Sequence, residues 1–169
     1  LNPFTEAGRD IYTALQIAQG KTLYADIYWL YGPFAPYWTA FLYKIFGVNL
    51  NTIYCSGLAN VFVCLLFFYF IGRYFLSPLH SFILSALFLT LFAMTGDYVA
   101  PYCFNAIYGV VFCLLFLFFL IRHYRGGAKR WLLAASFAAG LCTLTKVEFA
   151  FGALLTLVSV SILRMIQRK

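Results

Sequence analysis

Residues 5 to 20 repeat with the period of a helix. Ala7, Ile11, Ala14, Leu15 and Ala18 form one stripe, and Glu6, Arg9, Asp10, Thr13 and Gln16 form another. Thr5 can cap the start and Gly20 can end it. The segment is too short and too polar to span a bilayer, so it is expected to lie flat at the interface. Lys21 to Pro33 is irregular and rich in Tyr and Trp, and Pro36 to Phe46, closed by Gly47, reads as a second short helix. Its Tyr37, Trp38, Phe41 and Tyr43 suit the headgroup zone, where a ring has an apolar body and a polar tip.

Five apolar runs follow: Thr52 to Gly72, Leu79 to Gly96, Phe104 to Ile121, Trp131 to Thr145 and Phe149 to Leu163. They are read as spans of a hydrocarbon core about 30 Å thick, at about 1.5 Å of rise per residue; the last two are short. The pattern predicts an all-α, polytopic transmembrane helix bundle over residues 52–169. Residues 1–51 form an extracytoplasmic loop carrying two interfacial helices.

Composition agrees with that reading. The chain is 64% apolar, 21% aromatic and only 10% charged, far from a water-soluble domain of 169 residues. Its net charge of +7 could suggest nucleic acid, but the distribution argues against it. Eight of the twelve basic residues (Arg73, Arg122, Arg125, Lys129, Arg130, Arg164, Arg168, Lys169) sit between or after apolar runs with no acid among them. Arg9, Lys21, Lys44 and Lys146 share the other side with all five acids, Glu6, Asp10, Asp26, Asp97 and Glu148. This is the positive-inside asymmetry, which makes the basic loops cytoplasmic and the acidic face extracytoplasmic. Carboxylates there are solvated and available, whereas each would cost about 3 kcal/mol in the hydrocarbon. An integral, multi-pass protein of a bacterial inner membrane is expected.

The N-terminus lacks a basic segment followed by a short apolar core, so no cleavable signal is expected. The start at Leu1 suggests an internal piece of a larger polytopic protein. Cys55, Cys64, Cys103, Cys113 and Cys142 form no C-x-x-C pair and read as packing residues. His80 and His123 fall at the cytoplasmic ends, and Asn60 and Asn105 fall in or near spans, where bonding between helices is the default role.

Glu6 and Asp10 are four apart, so they share a face of the first helix, with Arg9 between them. Two such acids raise one pKa by repulsion and Arg9 counters it, so either can act as a general base toward a hydroxyl or amine. The solvated face of an amphipathic helix has the same pattern. Asp97 lies in a short outer loop, and Lys146 and Glu148 lie two apart at another outer corner. No Gly-rich phosphate loop, G-x-S-x-G or H-E-x-x-H is present.

The stretch Glu6 to Gly47 resembles the first extracytoplasmic loop of the GT-C polytopic glycosyltransferases, in particular the family of dolichyl-phosphate-mannose protein mannosyltransferases and bacterial aminoarabinose transferases. The acid is Glu6, followed by Arg9, Gly20, the Gly32-Pro33 turn and an aromatic helix ending in Phe46-Gly47. Thr145 to Glu148 is the one later stretch that looks like the family. The resemblance implies inverting transfer of a sugar from a polyprenyl phosphate, on the extracytoplasmic side, to a lipid, protein or polysaccharide acceptor, with a carboxylate as base. It leaves a divalent metal open and implies no nucleic acid. Glu6 stands where the family usually has Asp, so Glu6 and Asp10 both remain catalytic candidates. Leu30-Tyr31 stands where many members place a phosphate-holding Lys, so Arg9 or Lys146 must supply the cation. The substrate-binding candidates are therefore Arg9, Tyr31, Asp97, Lys146 and Glu148. A secondary transporter or flippase fragment is the alternative. The first three runs carry no charge at mid-membrane, which disfavours it. A scaffold subunit would explain the spans but not the first helix and its turn.

Overall fold

The computed structural model describes residues 3–95 and 104–167, and the side chains of residues 8–91 and 104–166. Among the described residues the chain forms seven helices and no strand. They are α1 (Pro3–Ala18), α2 (Phe34–Phe46), α3 (Leu50–Gly72), α4 (Pro78–Thr95), α5 (Phe104–Tyr124), α6 (Lys129–Thr143) and α7 (Val147–Gln167). Leu50–Gly72, Phe104–Tyr124 and Val147–Ile166 are each long and apolar enough to cross a membrane. The 15 residues of α6 rise about 22 Å, less than a full hydrocarbon core.

Helix ends follow local chemistry. Gly20, at φ 101°, closes α1 in a Schellman arrangement: its N–H bonds Ile17 O at 2.9 Å and Lys21 N–H bonds Gln16 O at 3.1 Å. Asn49 caps α3, its side-chain oxygen accepting from Thr52 N–H at 2.9 Å. The expected start of α2 at Pro36 moves back to Phe34. Proline has no N–H to lose in the first turn of a helix, so Pro36 does not mark its boundary.

α5 is the central element and packs against α2, α3, α6 and α7. Small residues let the helices approach. Ala135, Ala138 and Cys142 form the buried face of α6, and Gly109 of α5 receives the ring of Phe149, which a Cβ there would meet at 2.2 Å. On the other side Phe68 of α3 stacks on Phe88 of α4 with centroids 4.1 Å apart. α7 leaves most of its large apolar side chains exposed, as a lipid-facing or partner-facing helix would.

The two ends of the bundle differ in charge. Arg125 Nη2 donates to Tyr74 O at 2.6 Å, joining the ends of α3 and α5. The Arg164 guanidinium lies 3.9 Å from the centre of the Tyr124 ring, so α7 ends there too. Arg73, Arg122, Lys129 and Arg130 share that end, with no carboxylate among the described residues. Asp10, Asp26 and Glu148 all lie at the opposite end, with α1, α2 and the α6–α7 corner.

Candidate functional site

The loop between α1 and α2 is held in one shape. Tyr24 takes a left-handed backbone, φ 68°, which is uncommon for an aromatic residue. Its N–H bonds Ile27 O at 3.0 Å and its hydroxyl donates to Tyr31 O at 2.5 Å. Asp26 accepts from Thr22 N–H at 2.8 Å, so that carboxylate braces the loop. Leu23, Ile27 and Trp29 are buried with Ile17 of α1 and Ala40 of α2, a small core separate from that of the bundle.

The Gly32-Pro33 turn then docks on the α6–α7 corner. Gly32 N–H bonds Thr145 O at 2.7 Å and Phe34 N–H bonds Leu144 O at 3.0 Å. The second bond satisfies one of the free donors at the start of α2. A Cβ on residue 32 would fall 2.1 Å from Leu144 O, so only glycine lets the two backbones meet. Trp29 Nε1 donates to Gly32 O at 3.2 Å, and Phe34 packs its ring 4.8 Å from that of Phe112 on α5.

This docking brings Tyr31 beside two cations. The Arg9 guanidinium lies 5.4 Å from the centre of the Tyr31 ring and 5.2 Å from that of Trp29, and Lys146 Nζ lies 4.6 Å from the Tyr31 ring. Arg9 is 37% exposed and its Nη2 lies 3.4 Å from Asp10 Oδ1. Burial alone would lower the Arg9 pKa, but the Asp10 carboxylate and Tyr31 outweigh it and hold the guanidinium above its ordinary value. Buried Arg9 Nε has no hydrogen-bond partner among the described residues. Two cations therefore share one aromatic wall, where an anion would meet charge-assisted donors.

Comparison with family models, curated proteins and solved structures finds no match. The site rests on its own geometry.

Asp10 is only 4% exposed, and its Oδ2 accepts from Phe104 N–H at 3.0 Å. It thus caps the first turn of α5 from a different helix, besides meeting Arg9. Glu148, in the first turn of α7, is exposed and stands apart from the Arg9–Tyr31–Lys146 group in every described contact. The side chains of Glu6 and Asp97 lie outside the described residues; the backbone of Glu6 belongs to α1, one turn before Asp10. Among the described residues, no three of His, Cys, Asp and Glu converge as a metal site requires. Sequence reasoning did not single out Trp29, and it named Thr145 only within the family-like stretch Thr145 to Glu148. A Trp within the aromatic loop and a Thr before a candidate Lys were the available signals, but Arg9 over the Trp29 ring and Gly32 N–H on Thr145 O join segments apart in the chain.

Proposed function

We propose that this chain belongs to a glycosyltransferase that moves a sugar from a polyprenyl-phosphate donor to an acceptor on the extracytoplasmic side, with inversion. The observation that carries the reading is the convergence of Arg9 and Lys146 on Tyr31, at the end of the bundle that holds α1, α2 and the α6–α7 corner. A lipid phosphate entering from the bilayer meets two cations there, both held against one aromatic ring.

Glu6 is the proposed base. Asp10 is four residues on, but its burial and its bond to the α5 N-terminus suit a positioning residue that also orients Arg9. In the proposed step the acceptor O–H gives its proton to the Glu6 carboxylate as its oxygen bonds to the anomeric carbon. The bond from that carbon to the phosphate oxygen breaks, and the polyprenyl phosphate leaves against Arg9 and Lys146.

The test is transfer of labelled sugar from polyprenyl-phosphate donors to extracted acceptors, using the full-length protein in membranes. Glu6→Gln is expected to lower transfer at least about a hundredfold with insertion unchanged. Asp10→Asn keeps an acceptor oxygen for Phe104 N–H and is expected to lose less. Full activity in Glu6→Gln would move the base to Asp10, and absence of transfer from any donor by the inserted wild type would replace the reading with transport.

A further inference from the structure

The opposite end of the bundle carries a second cleft that the proposed reaction does not use. Arg73, Tyr74, Phe70, Phe118 and Arg122 line a cavity of about 320 Å³ between the ends of α3 and α5. Both guanidiniums are positioned by neighbours that leave most of their donors free. Arg73 Nη1 donates to Leu76 O at 3.2 Å, and Arg122 stacks 4.6 Å from the centre of the Trp131 ring. A guanidinium carries five N–H donors, so both keep several for a ligand. The nearby helix-end carbonyls are already engaged: Arg73 N–H bonds Tyr69 O at 2.9 Å and Gly127 N–H bonds Arg122 O at 3.1 Å. Arg125 instead ties the cleft shut behind them through Tyr74 O.

We infer that this cleft binds an anionic phospholipid, its phosphate diester held between Arg73 and Arg122 and an acyl chain lying on Phe70 and Phe118. Three observations favour a lipid. The cleft sits where apolar helices end, at headgroup depth for any spanning arrangement. Its walls change from guanidinium to bare phenyl rings along its length, matching a molecule that is anionic at one end and hydrocarbon at the other. Finally, neither Arg73 nor Arg122 meets a carboxylate among the described residues, so the charge of the cleft is unneutralised. The forked geometry of Arg suits the two free oxygens of a phosphate diester. This inference is independent of the proposed glycosyl transfer, which concerns the other end.

The experiment is native mass spectrometry of the purified protein released from mixed phosphatidylglycerol and phosphatidylcholine nanodiscs. The wild type is expected to retain one phosphatidylglycerol in preference to phosphatidylcholine. Arg73→Gln with Arg122→Gln is expected to weaken that retention about tenfold or more, while Lys129→Gln with Arg130→Gln, the same charge loss outside the cleft, leaves it unchanged. Equal loss in both pairs would overturn the cleft in favour of diffuse attraction, and undiminished retention in the first pair would overturn it outright. Displacement of the lipid by millimolar glycerol phosphate would identify a soluble phosphate ligand and overturn the lipid assignment. If the glutamine pair fails to fold, Arg73→Lys with Arg122→Lys, which keeps both charges and loses the fork, is expected to weaken retention measurably; unchanged retention there overturns the proposal.

Discussion

Gly32 is the residue on which the candidate site turns. Its N–H reaches Thr145 O, and the missing side chain makes room for Leu144 O. Gly32→Ala is expected to displace the turn and cost about 1–3 kcal/mol, as overpacking does. It should also separate Tyr31 from Lys146. Thermal unfolding in detergent checks the first effect, and an unchanged melting curve would refute the docking. Lys146→Gln removes a cation without touching the backbone bonds, so it is expected to raise KM for the lipid donor at least several-fold with stability unchanged, measured by donor titration. Arg9, Tyr31 and Lys146 were candidates through the family resemblance, which leaves Tyr31 at the usual phosphate-holding position and Arg9 or Lys146 to supply the cation. That all three meet at one ring was not legible, since Lys146 arrives from the α6–α7 corner. Asp10 was legible as an acid on a helix face, but not as the cap of α5, because its partner Phe104 lies in another apolar run.

At the scale of elements, what reads well is what local chemistry decides. Gly20 and Gly47 end their helices at positive φ as expected, since each supplies the turn cheaply. Asn49 before Leu50 is a local cap with an added contact from Thr52, whose hydroxyl donates to Gly47 O at 3.0 Å. Asn49→Ala is expected to cost about 1 kcal/mol, seen as a lower melting temperature, while Asn49→Asp should recover most of it. No change in Asn49→Ala would mean that tertiary packing alone holds the α2–α3 corner. At the start of α2 a distant partner adds to the local tolerance of proline in a first turn. Leu144 O takes the N–H of Phe34, a partner that no sequence window around Pro33 contains.

For the molecule as a whole, the separation of charge is the organising feature. Contacts from Arg125 to Tyr74 and from Arg164 to Tyr124 gather the basic helix ends, and the Gly32 docking gathers Lys146 with the acidic loop. If the basic end faces the cytoplasm, a membrane-impermeant maleimide added outside is expected to label Lys44→Cys and not Lys129→Cys, in a background with Cys55→Ser and Cys103→Ser. The reverse pattern would invert the orientation, and labelling of both would overturn the two-sided arrangement.

By itself, the sequence determined that the protein is helical and rich in apolar runs; five of these read as spans, and among the described residues three helices are long and apolar enough for a bilayer. Those properties follow from composition, period and spacing along a continuous stretch of chain, and neighbouring residues suffice to specify them. Tertiary structure alone decided that Asp10 is buried against α5 and that Arg9 and Lys146 both approach Tyr31. It alone brought Arg73 and Arg122 to one cleft. These are meetings between distant segments. They depend on which small residues let helices close on one another and which backbone donors find partners across the gap. Gly109 under Phe149 and Gly32 under Leu144 are two such points, and neither announces its partner in the order of residues.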